Sequence, residues 1–377
     1  PSFAVHEAGS QSSESNTSGI GGYMRSQAAL AIIGLAISVC ACGGASPTAP
    51  VVPATAGDLI TIEATDVFQR VNGPLSIGRV PFGSVTTTVI STAQTDTSFL
   101  ATNVASDGND AVFAGYDSPA SDKLVLFDVT SRNNPVLKRV VATNVGAIRD
   151  VVVRDGWAYF TGSRFGSLNL SDPNATPHFA SSDPGGDENA LAIVDNYAFT
   201  SDWTTSDARI HIYDISTPSS PRHVRSEGVA NHSSLRFTDL VAVGTDYLVG
   251  VSPDRPFGVG RDVYVMDRRD INDLKLRGEI DVPNLEGFRG NVVGNTMYVT
   301  GVGAGIATVD LTNPAQPVWR GTILTKGNAY ALDVVGSTLA IADGSAGVTF
   351  ADGAGVLPHG SRDNLCKGSG WIEILGS

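Results

Sequence analysis

Three features of the sequence predict an all-β protein made from one repeated unit. The chain has 377 residues, among them 42 Gly and 19 Pro, and only 17% are charged. That composition suits many short strands joined by tight turns. An alternating apolar strand ending on an acidic or amide residue, followed by a turn, recurs six times. Between these strands lie pairs of apolar runs separated by Gly, Asn or Asp, which are hairpin signals. Each unit therefore reads strand, tight turn, strand, loop, strand, Pro-bearing turn, strand. One such four-stranded unit cannot cover both of its faces, whereas a ring of them can. The expected architecture is a β-propeller of about six four-stranded blades, with a seventh allowed.

The strand-ending anchors are Asp128 (LVLFDVTSRNNP), Asn169, Asp214 (IHIYDISTPSSP), Asp267, Asp310 (IATVDLTNPAQP) and Asp352. Successive anchors lie 41, 45, 53, 43 and 42 residues apart. In three copies a Pro stands four residues on, at Pro173, Pro218 and Pro314. The interleaved hairpins fall at 103–115, 151–162, 191–202, 240–251, 291–302 and 332–343. A carboxylate at a strand end can accept backbone N–H bonds of the following turn, and Pro presets φ there. A turn-fixing role is thus expected for the repeated acid, in preference to a ring of metal ligands.

Residues 99–360 carry the repeats. Residues 58–98 hold less regular strands, and an alternating run, Trp371 to Leu375, lies in the tail 361–377. The two ends could pair to complete the ring or build a partial seventh blade, and the sequence leaves both open.

The N-terminal part reads as an address. Residues 1–23 lack periodicity and look like an upstream or disordered segment. From Met24, a short positive region leads into an apolar run ending at Ala41, the pattern of a secretory signal. Val39-Cys40-Ala41-Cys42 resembles a bacterial lipobox, which implies a signal peptide over 24–41 and lipidation of Cys42. Residues 42–57 are a Pro-rich linker, semi-extended by composition. The expected location is an exported, membrane-anchored lipoprotein facing the periplasm or the cell surface.

The form apolar-x-apolar-x-Asp, then Ser/Thr-x-Pro-x-x-Pro, resembles the LVIVD-repeat family of bacterial secreted and lipid-anchored propellers. Ile210 to Pro221 and Ala307 to Pro317 carry it best, and the likeness extends over 99–358. Asn169 replaces Asp in the second copy, and the fourth and sixth copies lose the Pro pattern. The resemblance implies the fold and an envelope location, and no particular activity.

Motifs for chemistry are not found. No GxSxG, HExxH, Walker or CxxC pattern occurs, so no catalytic residue, metal site or cofactor is expected. A net charge of −13 and a pI near 4.8, with no Lys/Arg cluster, speak against nucleic acid. His211 alternates with Arg209 and Tyr213 and is expected to face the surface. The acidic loop Asp183 to Glu188 is expected to be solvated. By the repeat register, Glu188, His232, Arg289 and Tyr330 fall where loops lead into first strands, making them candidates for the channel mouth. The longest unit carries Arg255, Phe257 and Arg261, which with Trp203 resemble the composition of a protein contact. The expectation is a protein-binding or scaffold module, an accessory subunit of a membrane complex. The alternatives are a metal-assisted hydrolase or lactonase-type propeller, and a surface adhesion or carbohydrate-binding protein.

Overall fold

The computed structural model describes residues 57–62, 75–80, 88–93, most of 100–352, and 372–375. Within 100–352, residues 108, 117–121, 132–133, 203–208, 230–235, 254–260, 284, 302–304, 326–327, 336–337 and 344–347 are not described.

The described strands form seven antiparallel sheets. Sheet 1 begins with β1 (Gly57–Ile62), β2 (Leu75–Val80) and β3 (Thr88–Ala93). Sheet 2 is β4 (Leu100–Asp107), β5 (Asp110–Tyr116), β6 (Asp122–Asp128) and β7 (Val136–Ala142). Sheet 3 is β8 (Val151–Arg154), β9 (Trp157–Phe160), β10 (Gly166–Asn169) and β11 (His178–Phe179). Sheet 4 is β12 (Glu188–Val194), β13 (Tyr197–Asp202), β14 (Arg209–Asp214) and β15 (Arg222–Gly228). Sheet 5 is β16 (Asp239–Val243), β17 (Tyr247–Val251), β18 (Val263–Asp267) and β19 (Lys275–Ile280). Sheet 6 is β20 (Gly287–Val293), β21 (Thr296–Gly301), β22 (Gly305–Asp310) and β23 (Val318–Ile323). Sheet 7 is β24 (Ala331–Val335), β25 (Thr338–Ala342) and β26 (Val348–Asp352).

The last strand, β27 (Ile372–Leu375), returns to sheet 1 and pairs antiparallel with β1. The first strands β4, β8, β12, β16, β20 and β24 lie side by side in that order, and β27 lies between β24 and β4. The sheets therefore stand in a ring, and one sheet is built from both ends of the chain. Such a ring leaves only the outer strands as edges.

The middle strands read as continuous apolar runs because neighbouring sheets cover both of their faces. In β5 every residue from Ala111 to Gly115 is buried. Among the described residues, each seam from sheet 2 to sheet 7 has its own apolar cluster. Leu124, Leu126, Phe160 and Leu168 fill the seam between sheets 2 and 3. Ile210, Ile212, Phe237 and Tyr264 fill that between sheets 4 and 5, and Val249, Val265, Met297 and Val309 that between sheets 5 and 6.

The anchors work as the strand-end chemistry requires. The amide two residues on donates to the anchor's side chain in five copies: Thr130 to Asp128 (2.9 Å), Ser171 to Asn169 (2.9 Å), Ser216 to Asp214 (3.0 Å), Arg269 to Asp267 (3.1 Å) and Thr312 to Asp310 (2.8 Å). The amide immediately after the anchor donates to the hairpin turn of the same sheet. Examples are Val129 to Asn109 O, Leu170 to Gly156 O and Leu311 to Asn295 O, at 2.7, 3.0 and 2.7 Å. The two repeated sequence signatures are therefore one hydrogen-bonded corner. Asp155 and Gly156 both take positive φ there (53° and 74°), the backbone a two-residue hairpin turn needs.

A further regularity is a β-bulge between the third and fourth strands. The register shifts at Leu126/Phe127, Val265/Met266 and Thr308/Val309. The extra residue on the fourth strand is Lys138, Arg277 or Arg320. Arg277 and Arg320 turn onto their sheet's own anchor, 2.8 Å from Asp267 and 2.6 Å from Asp310. Lys138 meets Asp110, the cross-strand partner of Asp128, at 2.7 Å. Hydrogen bonds from Arg269 and from Arg277 hold the Asp267 carboxyl well below the usual carboxylate range.

Candidate functional site: the ring centre and the seam between sheets 3 and 4

The described polar groups gather in two places. The first is the ring centre, where Asp150, Asp239 and Arg289 stand at one register position. Each lies four residues before the end of its first-strand run, at Arg154, Val243 and Val293. Asp150 is 5% and Asp239 7% exposed. The Arg289 Nη1 donates to Asp150 Oδ2 at 3.0 Å and to Asp239 Oδ1 at 3.2 Å. Asp239 is on the neighbouring sheet 5, whereas Asp150 is on sheet 3, beyond sheet 4. Sheet 4 carries Ala190 at this register, buried in the apolar seam with sheet 5 and bringing no charge to the centre.

Each aspartate also serves the next sheet's backbone. Leu191 N donates to Asp150 Oδ2 at 3.1 Å, and Gly290 N donates to Asp239 Oδ2 at 2.7 Å. These amides lie on first strands, where the side of the ladder facing the ring centre has no strand to pair with, and an unpaired buried amide is costly. Asn103, at the same register in sheet 2, donates to Asp150 Oδ1 at 2.6 Å. Burial pushes the Asp239 carboxyl up, and the Arg289 charge pulls against that.

The second place is the seam between sheets 3 and 4. Glu188 opens β12 and is fully buried. The Tyr213 hydroxyl donates to its Oε1. Phe165 of sheet 3 stacks on Tyr213 with ring centroids 4.6 Å apart. His211 shares Tyr213's face of β14 and is 3% exposed. Its Nδ1 is 2.7 Å from Ser226 Oγ, and its Nε2 lies 3.9 Å from Asp202 Oδ2. Burial, with the Asp183 carboxylate second, pushes Glu188 up to about 8. Burial also takes His211 down to about 4 and raises Tyr213. Among the described residues no group of three or more His, Cys, Asp or Glu side chains is arranged to hold a metal ion.

Two sequence expectations are corrected here. His211 faces the seam and not the solvent, because sheet 3 covers the face it shares with Tyr213. The Asp183 to Glu188 loop keeps Pro184 exposed and Asp183 and Gly185 to Asp187 half-buried, so the expectation of a solvated loop fails at Glu188, which is buried. Phe165 N and Gly185 N donate to Asp183 at 2.9 and 2.8 Å, and Arg149 grips Asp187 at 2.7 and 2.6 Å.

The four residues expected at the channel mouth are not one constellation. Glu188 is inside the seam, and Arg289 is at the ring centre. Tyr330, half-buried, lies beside Arg289's neighbour Phe288, with ring centroids 5.6 Å apart. The Thr300 hydroxyl accepts from Arg289 N at 2.9 Å and lies 3.3 Å from Tyr330 O. His232 lies outside the described residues, as do Trp203, Arg255, Phe257 and Cys42. Arg261 is exposed, with Nε 3.5 Å from Glu279 Oε1.

Sequence reasoning missed Asp150, Asp239 and Tyr213. It also missed an apolar edge. Of the five exposed large hydrophobic residues among the described ones, Val136 (54%), Leu137 (45%) and Val140 (49%) are on β7, the outer strand of sheet 2.

A ring of antiparallel sheets, with apolar seams between successive sheets from the second to the seventh, defines a β-propeller. The LVIVD-repeat model, of a family found in β-propeller proteins, matches residues 185–226 and 291–325. Solved structures agree on the fold. A Lactobacillus plantarum protein aligns over 85% of this chain and 100% of its own, at 11% identity and a TM-score of 0.64. A protein of Bacteroides fragilis described as a putative 6-phosphogluconolactonase aligns over 87% of this chain and 100% of its own, at 13% identity and a TM-score of 0.66. One from Bacteroides uniformis with the same description gives 85%, 99%, 13% and 0.62. No curated protein sequence matches the chain.

Proposed function

We propose that this protein is an exported β-propeller, anchored through lipid on Cys42, that works as a protein-binding scaffold on the periplasmic or outer face of a membrane complex. The observation that carries the binding role is β7. It is an outer strand with no described strand paired on its far side, and it exposes Val136, Leu137 and Val140. Clustered apolar exposure marks contact surfaces, and an open strand edge can pair with a partner's backbone. The ring centre fits the same reading, since Arg289, Asp150 and Asp239 spend their charge on one another and on backbone amides. The signal-like segment before Cys42 supports export and anchoring. Arg255, Phe257, Arg261 and Trp203 are proposed as further contact residues.

Purification from native membranes tests the role. A stable envelope protein should co-purify with the wild type and be lost when Val136 and Val140 are both changed to Lys. Retention in that variant argues against β7. Palmitate labelling that persists in Cys42→Ser refutes the anchor.

A second reading is a lactonase-type enzyme, favoured by the buried Glu188, Tyr213 and His211 group. The likeness to proteins described as 6-phosphogluconolactonases is at 13% identity and supports the fold alone.

A further inference from the structure

We infer that the loop from Asp183 to Glu188 is a proton-dependent latch across the seam between sheets 3 and 4, shut while Glu188 is the neutral acid and released when it becomes the carboxylate.

The geometry places this loop on both sides of one seam. Sheet 3 holds it through Phe165 N to Asp183 (2.9 Å), Arg149 to Asp187 (2.6 Å) and Glu188 N to Gly162 O (2.8 Å). Sheet 4 holds it through the Tyr213 hydroxyl on Glu188. Glu188 is therefore the residue where the two sets of ties meet, its backbone on one sheet and its side chain on the other.

The surroundings of that side chain decide which protonation state fits. From the loop it faces Asp183, from β13 Thr200 and Asp202, and from β14 Tyr213. Those are two carboxylates, a hydroxyl and a phenol, and among the described residues no cation is one of the groups that act most on it. His211 on β14 and His223 on β15 stand behind them, and burial keeps both imidazoles neutral more readily than in water. Arg209 acts on His211 from the exposed start of β14. The Glu188 Oε2 and Thr200 Oγ1 atoms are both buried. The Tyr213 and Thr200 hydroxyls can each donate to the carboxylate, but burial and the Asp183 and Asp202 charges outweigh them and favour the acid with its proton. Loss of that proton instead puts a third negative charge beside Asp183 and Asp202 in a seam closed to water, a costly arrangement.

The loop is also built close to the charge that would push it. Gly186 runs so near Asp202 that a Cβ there would sit 3.1 Å from its Oδ1. Ser182, Gly185 and Gly186 all take positive φ (59°, 71° and 140°), so the segment turns sharply on itself before it reaches Glu188. Its strength as a latch comes from these few ties, since it contributes no strand pairing until β12 begins.

Hydrogen exchange of amides 185–188 in the full chain, corrected for the intrinsic pH effect on exchange, tests the inference. In the wild type, protection should fall at least tenfold between pH 7 and pH 9, with a midpoint near 8. In Glu188→Gln protection should stay level over that range. The midpoint should move down in Asp202→Asn, which removes a repelling carboxylate, and up in Tyr213→Phe, which removes a donor to the carboxylate. A level wild-type profile, or the same fall in Glu188→Gln, overturns the latch. Should Glu188→Gln fail to fold, midpoints unmoved in both other variants overturn it equally.

Discussion

Arg289 on β20 and Asp150 at the start of β8 are 139 residues apart in sequence and 3.0 Å apart in space. Their pairing crosses the ring centre past sheet 4, and the same guanidinium nitrogen reaches Asp239 at 3.2 Å. Both acids already accept the next sheet's backbone amides, so one cation holds together three sheets and the hydrogen bonds between them.

Removing that cation should be costly. Arg289→Ala leaves two buried carboxylates facing each other without a counter-charge, a loss of about 3–5 kcal/mol. Urea unfolding measures it. Adding Asp239→Asn to Arg289→Ala should recover part of the loss, because the second change removes the stranded charge. Strictly additive losses would contradict this coupling.

Stability should follow pH in two opposed ways. The folded Glu188 holds its proton up to about pH 8, while the unfolded side chain releases it near 4.5. Its contribution therefore falls by about 1.4 kcal/mol per pH unit across that window. The folded His211 stays neutral down to about pH 4, while the unfolded imidazole takes a proton near 6.5. Its contribution rises with pH between those values, and His223, shifted in the same direction, adds to the rise. The two trends offset one another up to about pH 6.5, and above it the Glu188 fall stands alone. Denaturant titrations from pH 4.5 to 8.5 should show this break. Glu188→Gln should lose the fall above pH 6.5. Below pH 6 in that variant Asp239, raised by burial to about 6, still works against the His211 rise. His211→Asn should show mainly the fall.

The anchor aspartates should be replaceable by asparagine more readily than by alanine. Asp310→Asn keeps an acceptor for Thr312 N and loses the Arg320 pair, whereas Asp310→Ala loses both. Asn169 already fills this place in sheet 3 and accepts Ser171 N at 2.9 Å. The expected order of unfolding midpoints is wild type, then Asn, then Ala. Equal losses in the two variants would assign the anchor's effect to the ion pair and not to the turn.

Deleting residues 370–377 should remove β27 and uncover the β1 edge that it pairs with. The expected result is a lower thermal midpoint and concentration-dependent association, read by calorimetry and light scattering. An unchanged midpoint would mean that β27 does not close the ring.

The fold was legible because its signals are local. The hairpin at Asp155-Gly156 and the corner at Asp310 each form within a few residues and recur at one spacing. The bulge pairs were missed: a basic residue stands ten positions after Asp128, Asp267 and Asp310, at Lys138, Arg277 and Arg320, but Val224 takes that place after Asp214. The ring centre was harder to read. Asp150, Asp239 and Arg289 share a register visible only once the repeats are aligned on the ends of their first strands, and no spacing says which sheets face one another. The His211 expectation failed for a related reason. Its alternation with Tyr213 correctly put the two on one face, but only the neighbouring sheet decides whether that face meets water.

The central claim, that the propeller is a docking module using its apolar outer strand, is tested most directly by a photo-reactive residue at Val140 in native cells. A second variant carrying the same residue at Val293, exposed on another sheet, is the reference. The account predicts a discrete adduct with one envelope protein from position 140 and none from position 293. No adduct from position 140, or the same adducts from both positions, would contradict it.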